Sequence, residues 1–106
     1  MTIIQYNLQG SQENFELLKK ELDTNKDFEG KYNETLSEGI YKHKLGEMAI
    51  DTLGEMKERI GSLGIAYKEE NKEKLMKIIE KICEDKKLIL VERRWNGSQY
   101  ILIKRN

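Results

Sequence analysis

Two strands and a tight turn are predicted by the stretch Lys87-Leu-Ile-Leu-Val-Glu-Arg-Arg-Trp-Asn-Gly-Ser-Gln-Tyr-Ile-Leu-Ile-Lys-Arg-Asn106. Runs rich in β-branched and aromatic residues lie on either side of Asn96-Gly97. This dipeptide tolerates the positive φ angles of a type I′ turn, a common two-residue connection in hairpins. We therefore predict a C-terminal β-hairpin whose loop is Asn96 and Gly97.

The position of that loop sets a register for the hairpin. The predicted partners are Trp95 with Ser98, Arg94 with Gln99, Arg93 with Tyr100, Glu92 with Ile101, and Val91 with Leu102. Because alternate residues of a strand point to opposite faces, this register places Arg93, Trp95 and Tyr100 on one face. We expect cationic and aromatic side chains to meet there.

Charge is distributed unevenly along a chain that is neutral as a whole. The 106 residues include 19 Lys and Arg against 19 Asp and Glu, and this length fits one domain with a modest core. Residues 1–40 carry a net charge of −4 and residues 86–106 carry +5. The charged residues of the second segment are Lys86, Lys87, Arg93, Arg94, Lys104 and Arg105, against Glu92 alone. The hairpin is thus the positive end of the molecule, and such a surface can orient a long anionic partner.

Cysteine usage and hydropathy limit the class of protein. Cys83 is the only cysteine, which excludes an intramolecular disulfide framework. The sequence shows neither a basic-then-apolar leader nor a long apolar span. We expect a cytoplasmic protein with no membrane partner.

One strand and one helix are predicted in the first part of the chain. Thr2–Leu8 is rich in β-prone residues and is expected to lie beside the hairpin as a third strand, because a lone hairpin is only marginally stable. Ser11 is a suitable N-cap for a helix that reaches Asp23. The apolar residues of this helix recur at helical spacing: Phe15, Leu18 and Leu22, with Leu17 widening the stripe.

Residues 24–43 carry a weaker pattern, and residues 44–60 predict a second helix. Thr35-Leu-Ser-Glu38 matches a capping box, which predicts a helical turn there. The second helix is weakened by Gly46 and Gly54, and we expect Gly61-Ser-Leu-Gly64 to end it. Its apolar positions follow an i, i+3, i+4, i+7 pattern: Leu45, Met48, Ala49, Thr52, Leu53, Met56 and Ile60.

The strongest helical pattern lies within residues 67–85. Its apolar stripe comprises Leu75, Ile78, Ile79, Ile82 and Cys83, and only Met76 falls off this face. An outward strip of Lys74, Lys77 and Lys81 lies beside Glu73, Glu80 and Glu84. Such mixed strips most often keep a surface solvated. If the helix meets DNA, its acidic residues suit it to lying near the duplex rather than reading bases.

Residues that could support catalysis are isolated from the partners that they would need. His43 has no cysteine or carboxylate at the spacing of metal ligands and is expected in an exposed basic segment. Cys83 falls on an apolar stripe with no base nearby, so we expect a small core residue. The scattered glycines do not form a phosphate loop. We therefore predict no enzyme, no metal and no cofactor.

The hairpin has a structural and a functional interpretation. In the first, it is an edge ribbon kept soluble by arginine, with Trp95 packed on the body. In the second, Arg93 and Arg94 fork onto phosphate or guanine, while an aromatic residue stacks on sugar or base. The residues that we predict to bind DNA are Arg93, Arg94, Trp95, Asn96, Ser98 and Gln99, with Lys74, Lys77 and Lys81 beside phosphates.

The order of two helices, a glycine turn, an amphipathic helix and a basic hairpin resembles the winged helix-turn-helix family. Residues 44–60 and 67–85 match the two helices of the motif, and residues 87–105 match its wing. In length and in the tip Arg93-Arg-Trp-Asn-Gly-Ser98, the chain also resembles the TcpK relaxosome accessory proteins of conjugative plasmids. That resemblance implies recognition of repeats near an origin of transfer and help in assembling a relaxase complex.

These patterns together predict an α+β, winged helix-turn-helix-like domain over residues 1–106. About three helices are expected with a small antiparallel sheet that ends in the hairpin wing. The expected function is sequence-selective binding of double-stranded DNA, with relaxase or other transfer proteins and a second copy of the chain as further partners. The alternative is a protein-interaction module, such as an inhibitor encoded by a phage or plasmid.

Overall fold

In the computed structural model, residues 2–52 and 60–104 are described, except for the side chains of Trp95, Tyr100, Leu102 and Lys104. Within these residues the chain forms two α-helices and seven strands. In chain order the elements are β1 (Thr2–Gln9), α1 (Gln12–Thr24), β2 (Glu29–Asn33), β3 (Glu38–His43), β4 (Gly46–Asp51), β5 (Gly61–Tyr67), α2 (Lys72–Asp85), β6 (Ile89–Trp95) and β7 (Tyr100–Lys104). A short 3₁₀ turn, Glu69–Asn71, precedes α2.

The strands form one antiparallel sheet in the order β2-β3-β4-β5-β1-β6-β7. Strand β1 lies inside the sheet, where Tyr6 pairs with Leu63 of β5 and with Glu92 of β6. The prediction that Thr2–Leu8 lies beside the C-terminal hairpin is therefore confirmed. Residues 2–9 connect the hairpin to the rest of the sheet.

Both helices pack on the same face of this sheet. Helix α1 buries Phe15, Leu18 and Leu22, and α2 buries Leu75, Met76, Ile79 and Cys83. These side chains join one apolar core with alternate residues of the strands, such as Tyr6, Leu8, Tyr41, Ile50, Leu63, Ile65 and Leu90. The opposite face, called here the open face, presents exposed residues such as Gln5, Ile40 and Ala49.

Local hydrogen bonds mark the start of α1 and the end of α2. The Ser11 hydroxyl accepts the N–H of Asn14 at 3.1 Å, so the predicted N-cap is confirmed. At the end of α2, Lys87 adopts φ +58° and the N–H of Leu88 donates to the Cys83 carbonyl at 2.8 Å. This left-handed turn leads directly into β6.

The predicted winged helix-turn-helix architecture is wrong. The region that matched the first helix of the motif contains β4, and Gly61–Gly64, expected to end a helix, belongs to β5. The described residues form two α-helices and a large antiparallel sheet rather than about three helices and a small one. Of the two predicted motif helices, the one within residues 67–85 forms as α2 but begins at Lys72, since Tyr67 belongs to β5. The described part of residues 44–60 contains β4 in place of the other helix.

Residues 29–51 contain the strands β2, β3 and β4 instead of the predicted helical segments, and in β4 the apolar side chains also alternate. Met48 and Ile50 are buried while Glu47 and Ala49 are exposed, which is a two-residue period inside the longer helical pattern. The predicted helical turn at Thr35–Glu38 is instead the β2–β3 turn. There Ser37 has φ +54°, and the Asn33 side chain accepts the N–H of Leu36 at 3.1 Å.

The exposure of two side chains differs from what was predicted for the core. Leu17 is 46% exposed, whereas Met76, which was placed off the apolar face, is only 7% exposed. The Tyr6 hydroxyl donates to the Met76 sulfur at 3.5 Å. The predicted core residues Leu53 and Met56 lie outside the described part of the chain. None of the described helices has the length and apolarity needed to cross a bilayer.

Candidate nucleic-acid interface

The distal part of the β6–β7 hairpin extends beyond its pairing with the sheet. Pairing between β1 and β6 ends at Gln5 and Arg93, although β1 continues along β5 to Thr2. Pairing between β6 and β7 continues to Trp95 and Tyr100. In the described strands, residues 94–101 are thus a two-stranded ribbon that is paired only with itself; we call it the ribbon.

The ribbon loop is four residues long rather than two. The Asn96 N–H donates to the Gln99 carbonyl at 3.1 Å, and Gly97 has φ +102°. The Asn96 side-chain oxygen accepts the N–H groups of Ser98 and Gln99 at 3.0 and 2.9 Å and the Ser98 hydroxyl at 3.2 Å. The Asn96 side chain thus stabilises a four-residue loop, and the predicted two-residue type I′ turn does not form.

The longer loop corrects the predicted register. Trp95 pairs with Tyr100, Arg94 with Ile101, Arg93 with Leu102, Glu92 with Ile103, and Val91 with Lys104. Every partner is shifted by two residues from the prediction. An even shift keeps each residue on its face, so positions 93, 95 and 100 still share the open side of the hairpin. The predicted meeting of cationic and aromatic side chains involves Trp95 and Tyr100, whose side chains lie outside the description.

The two predicted contact arginines occupy opposite faces. Arg93 lies on the open face, opposite Gln5 and half-buried, whereas Arg94 lies on the helix side with its side chain 55% exposed. The Arg94 Nε and Nη2 atoms donate to the Glu92 Oε1 atom at 3.3 and 3.1 Å. Glu92 is buried, so its carboxylate is held in position. Its hydrogen bonds therefore orient the Arg94 guanidinium towards solvent.

The tip of the ribbon is polar and accessible. Asn96, Ser98 and Gln99 are exposed, and no atom lies within 4 Å of a Cβ built on Gly97. An amide, a hydroxyl and a second amide can donate and accept hydrogen bonds. The narrow loop therefore combines the groups that read base edges with room to approach them.

The predicted helical lysines do not join Arg93. Lys74, Lys77 and Lys81 are exposed on α2, and Lys81 lies 3.5 Å from the Asp85 carboxylate. Because α2 covers the helix side of the sheet, these lysines and Arg93 belong to opposite layers. Only Arg94 and the tip can share a side with them, so the nine predicted residues are not one continuous surface.

Gln5, which was not among the predicted site residues, lies next to Arg93. It is exposed on the open face beside Arg93, and its amide lies across Gly64, where an added Cβ would be 3.2 Å from Oε1. An adjacent glutamine and arginine are suited to hydrogen-bonding bases. The alternation of Gln5 and Asn7 with buried Tyr6 and Leu8 is the signal that could have indicated this position.

A shallow groove of about 330 Å³ lies at the turn between β3 and β4. It is lined by Lys42, His43, Lys44, Leu45, Gly46, Glu47, Lys68, Glu70 and Asn71. His43, predicted to be exposed, is half-buried; its ring lies 4.9 Å from that of Phe28, and its Nδ1 accepts the Leu45 N–H at 3.1 Å. Within residues 2–52 and 60–104, no cluster of three or more His, Cys, Asp or Glu could hold a metal ion.

Cys83 is confirmed as a core residue. It is fully buried on α2, and burial, with a smaller contribution from the charge of Glu80, raises the pKa of its thiol to about 12. A nucleophilic cysteine has a lowered pKa and access to solvent. Cys83 therefore acts as a small apolar side chain.

No protein family, curated protein or solved structure matches this chain.

Proposed function

We propose that the protein binds double-stranded DNA in a sequence-selective way through the ribbon. The observation that carries this proposal is the extension of residues 94–101 beyond the β1–β6 pairing. A two-stranded ribbon of this width fits the major groove of B-form DNA. That the protein catalyses no reaction stays a prediction, and it is part of the proposal.

Each part of the ribbon has a role in this proposal. The exposed tip, Asn96–Gln99, enters the groove and reads base edges. Arg94, already oriented by Glu92, donates to phosphate or guanine, and Arg93 with Gln5 extends the contact along the open face. The lysines of α2 contribute long-range attraction only.

The resemblance to relaxosome accessory proteins supplies one specific target. Repeats near a plasmid origin of transfer are the duplexes that we propose to test first, with relaxase as a further partner. This target rests on the tip residues 93–98 and on chain length, since the described part of the matched residues 44–60 contains β4 rather than a helix.

Selection from a random duplex library, followed by anisotropy titration, tests the proposal. We expect one enriched sequence family whose log affinity falls with log salt by a slope of about two or more, because cations that contact phosphate release counterions. Lack of enrichment together with salt-independent affinity would refute DNA binding.

A protein-interaction module is the second candidate. It is favoured by Ile3 and Ile40, which are 64% and 57% exposed on the open face. Contact with an apolar partner surface would bury both side chains without counterion release. Substitution of both by Ser should leave DNA affinity unchanged if the ribbon is the binding site.

A further inference from the structure

The two outer strands of the sheet differ in how their edges are protected. On β2, the Asp23 carboxylate accepts the outward N–H of Tyr32 at 3.0 Å, and Glu29 and Lys31 add charge. Charged residues and covering of the edge are among the means by which an edge strand avoids further pairing, and β7 has a charged residue only at its last position, Lys104. Strand β7 has the sequence Tyr-Ile-Leu-Ile-Lys, which lacks proline and glycine, and among the described strands it pairs only with β6.

The hydrogen-bond pattern shows which main-chain groups of β7 point outwards. Antiparallel pairs alternate between hydrogen-bonded and non-hydrogen-bonded. Because Asn96 donates to Gln99 one step beyond the Trp95–Tyr100 pair, the bonded pairs of the hairpin are those of Ile101 and Ile103. The N–H and C=O groups of positions 100, 102 and 104 therefore point away from β6.

We infer that β7 pairs with β7 of a second copy of this chain, antiparallel and centred on Leu102. In this register position 102 pairs with its own symmetry mate, 101 with 103 and 100 with 104. The outward groups of 100, 102 and 104 then form about six main-chain hydrogen bonds. The strand is complementary to itself because isoleucine positions oppose each other and each lysine position opposes a tyrosine rather than another lysine.

Exposure at the edge supports the same pairing. Ile101 is 41% exposed, and it lies on the helix side opposite Arg94. Pairing would cover it with Ile103 of the second copy. The two ribbon loops would lie at opposite ends of the joined β7 strands, so the contact leaves both tips accessible. This inference does not depend on DNA binding.

Sedimentation of a proline variant tests the contact. The N–H of residue 102 points outwards, so Leu102→Pro removes a donor of the intermolecular pair and none of the hairpin. We expect the wild type and Leu102→Val to sediment as dimers and Leu102→Pro as a monomer with an unchanged circular dichroism spectrum. A monomeric wild type, or a dimeric proline variant, would overturn the inference.

Disulfide trapping tests the register. Positions 101 and 103 of two copies would form a non-hydrogen-bonded pair, with Cα atoms about 4.5 Å apart, which suits a disulfide. A mixture of Ile101→Cys and Ile103→Cys should therefore cross-link several-fold more than either variant alone. The buried Cys83 of the wild type serves as the unreactive control. Equal cross-linking by either single variant, or none by the mixture, would contradict this register.

Discussion

The buried side chains show how individual residues hold the two layers together. Tyr6 and Tyr41 are fully buried, and each has a partner for its hydroxyl: the Met76 sulfur for Tyr6 and the Asp23 carboxylate, at 2.6 Å, for Tyr41. A buried hydroxyl without a partner is destabilising, so these contacts fix how α1 and α2 lie on the sheet. The sequence showed the apolar stripes of the helices, but the tyrosine contacts depend on the strand positions.

Ile79 is the first residue at which the packing can be tested. It is 1% exposed in the centre of α2, so Ile79→Ala should lower the free energy of unfolding by about 2–5 kcal/mol. The neighbouring exposed Lys77→Ala should change it by less than about 0.5 kcal/mol. Urea denaturation measures both. Equal midpoints for Ile79→Ala and the wild type would show that the helical phase is wrong.

Cys83 provides a prediction for alkaline pH. Its pKa is raised to about 12 in the folded chain, against about 8.5 in an unfolded chain. Between these values the unfolded chain has lost a proton that the folded chain keeps, so the free energy of unfolding falls as pH rises. Tyr41 acts in the same direction, because burial and, secondarily, its bond to Asp23 raise its pKa as well.

The Cys83→Ala variant separates the two contributions. It should be less stable at neutral pH because it leaves a small cavity, but its stability should fall less steeply between pH 9 and pH 11, by up to about 1.4 kcal/mol per pH unit. Denaturation at a series of pH values gives both slopes. Parallel slopes for the variant and the wild type would contradict the role of the thiol.

At the level of elements, the sequence predicted those whose pattern has one interpretation. Strand β1, both helices and the C-terminal hairpin were predicted, because capping residues and a single clear period mark them. Strands β2 to β5 were not. Residues 44–51 fit both a helical and an alternating period, and only pairing with β3 and β5 decides between them.

The ribbon loop shows the same limit on a smaller scale. The dipeptide Asn96-Gly97 located the turn correctly, but its length depended on the Asn96 side chain bonding to residues two and three positions ahead. Local side-chain bonds of this kind compete with the backbone geometry of a two-residue turn. The positions predicted to share a face of the hairpin still do so, because the true register differs from the predicted one by an even number of residues.

Asn96 is therefore the residue on which the ribbon loop depends. Asn96→Ala removes an acceptor of three hydrogen bonds, and we expect amide hydrogen exchange in residues 94–101 to accelerate about five-fold or more, corresponding to about 1 kcal/mol. Ser98→Ala removes only one of the three bonds and is the matched control. Unchanged exchange in Asn96→Ala would show that the backbone alone holds the loop.

The whole molecule is neutral, but the two edges of its sheet differ in charge. Strands β2 and β3 at one edge are each neutral, because Glu29 balances Lys31 and Glu38 balances Lys42, whereas β6 and β7 at the other edge carry net positive charge. Such an asymmetric field can steer one edge towards a polyanion even when the net charge is zero. The sequence predicted this asymmetry, whereas the division of Arg93 and the helical lysines between two layers required the fold.

The central claim concerns the arginines of β6, and two variants isolate them. Arg93→Ala and Glu92→Gln/Arg94→Ala each remove one cation from β6, and Glu92→Gln avoids leaving the buried carboxylate without Arg94. Lys20→Ala/Lys26→Ala removes two exposed cations from the acidic part of the chain and serves as the control. Circular dichroism confirms that each variant is folded.

Anisotropy titration of the selected duplex at several salt concentrations is the decisive measurement. We predict that each arginine variant weakens specific binding by roughly 1–3 kcal/mol, or lowers the salt slope by about one, whereas the lysine control does neither. Folded arginine variants that bind with the affinity and salt dependence of the wild type would contradict DNA recognition by the ribbon.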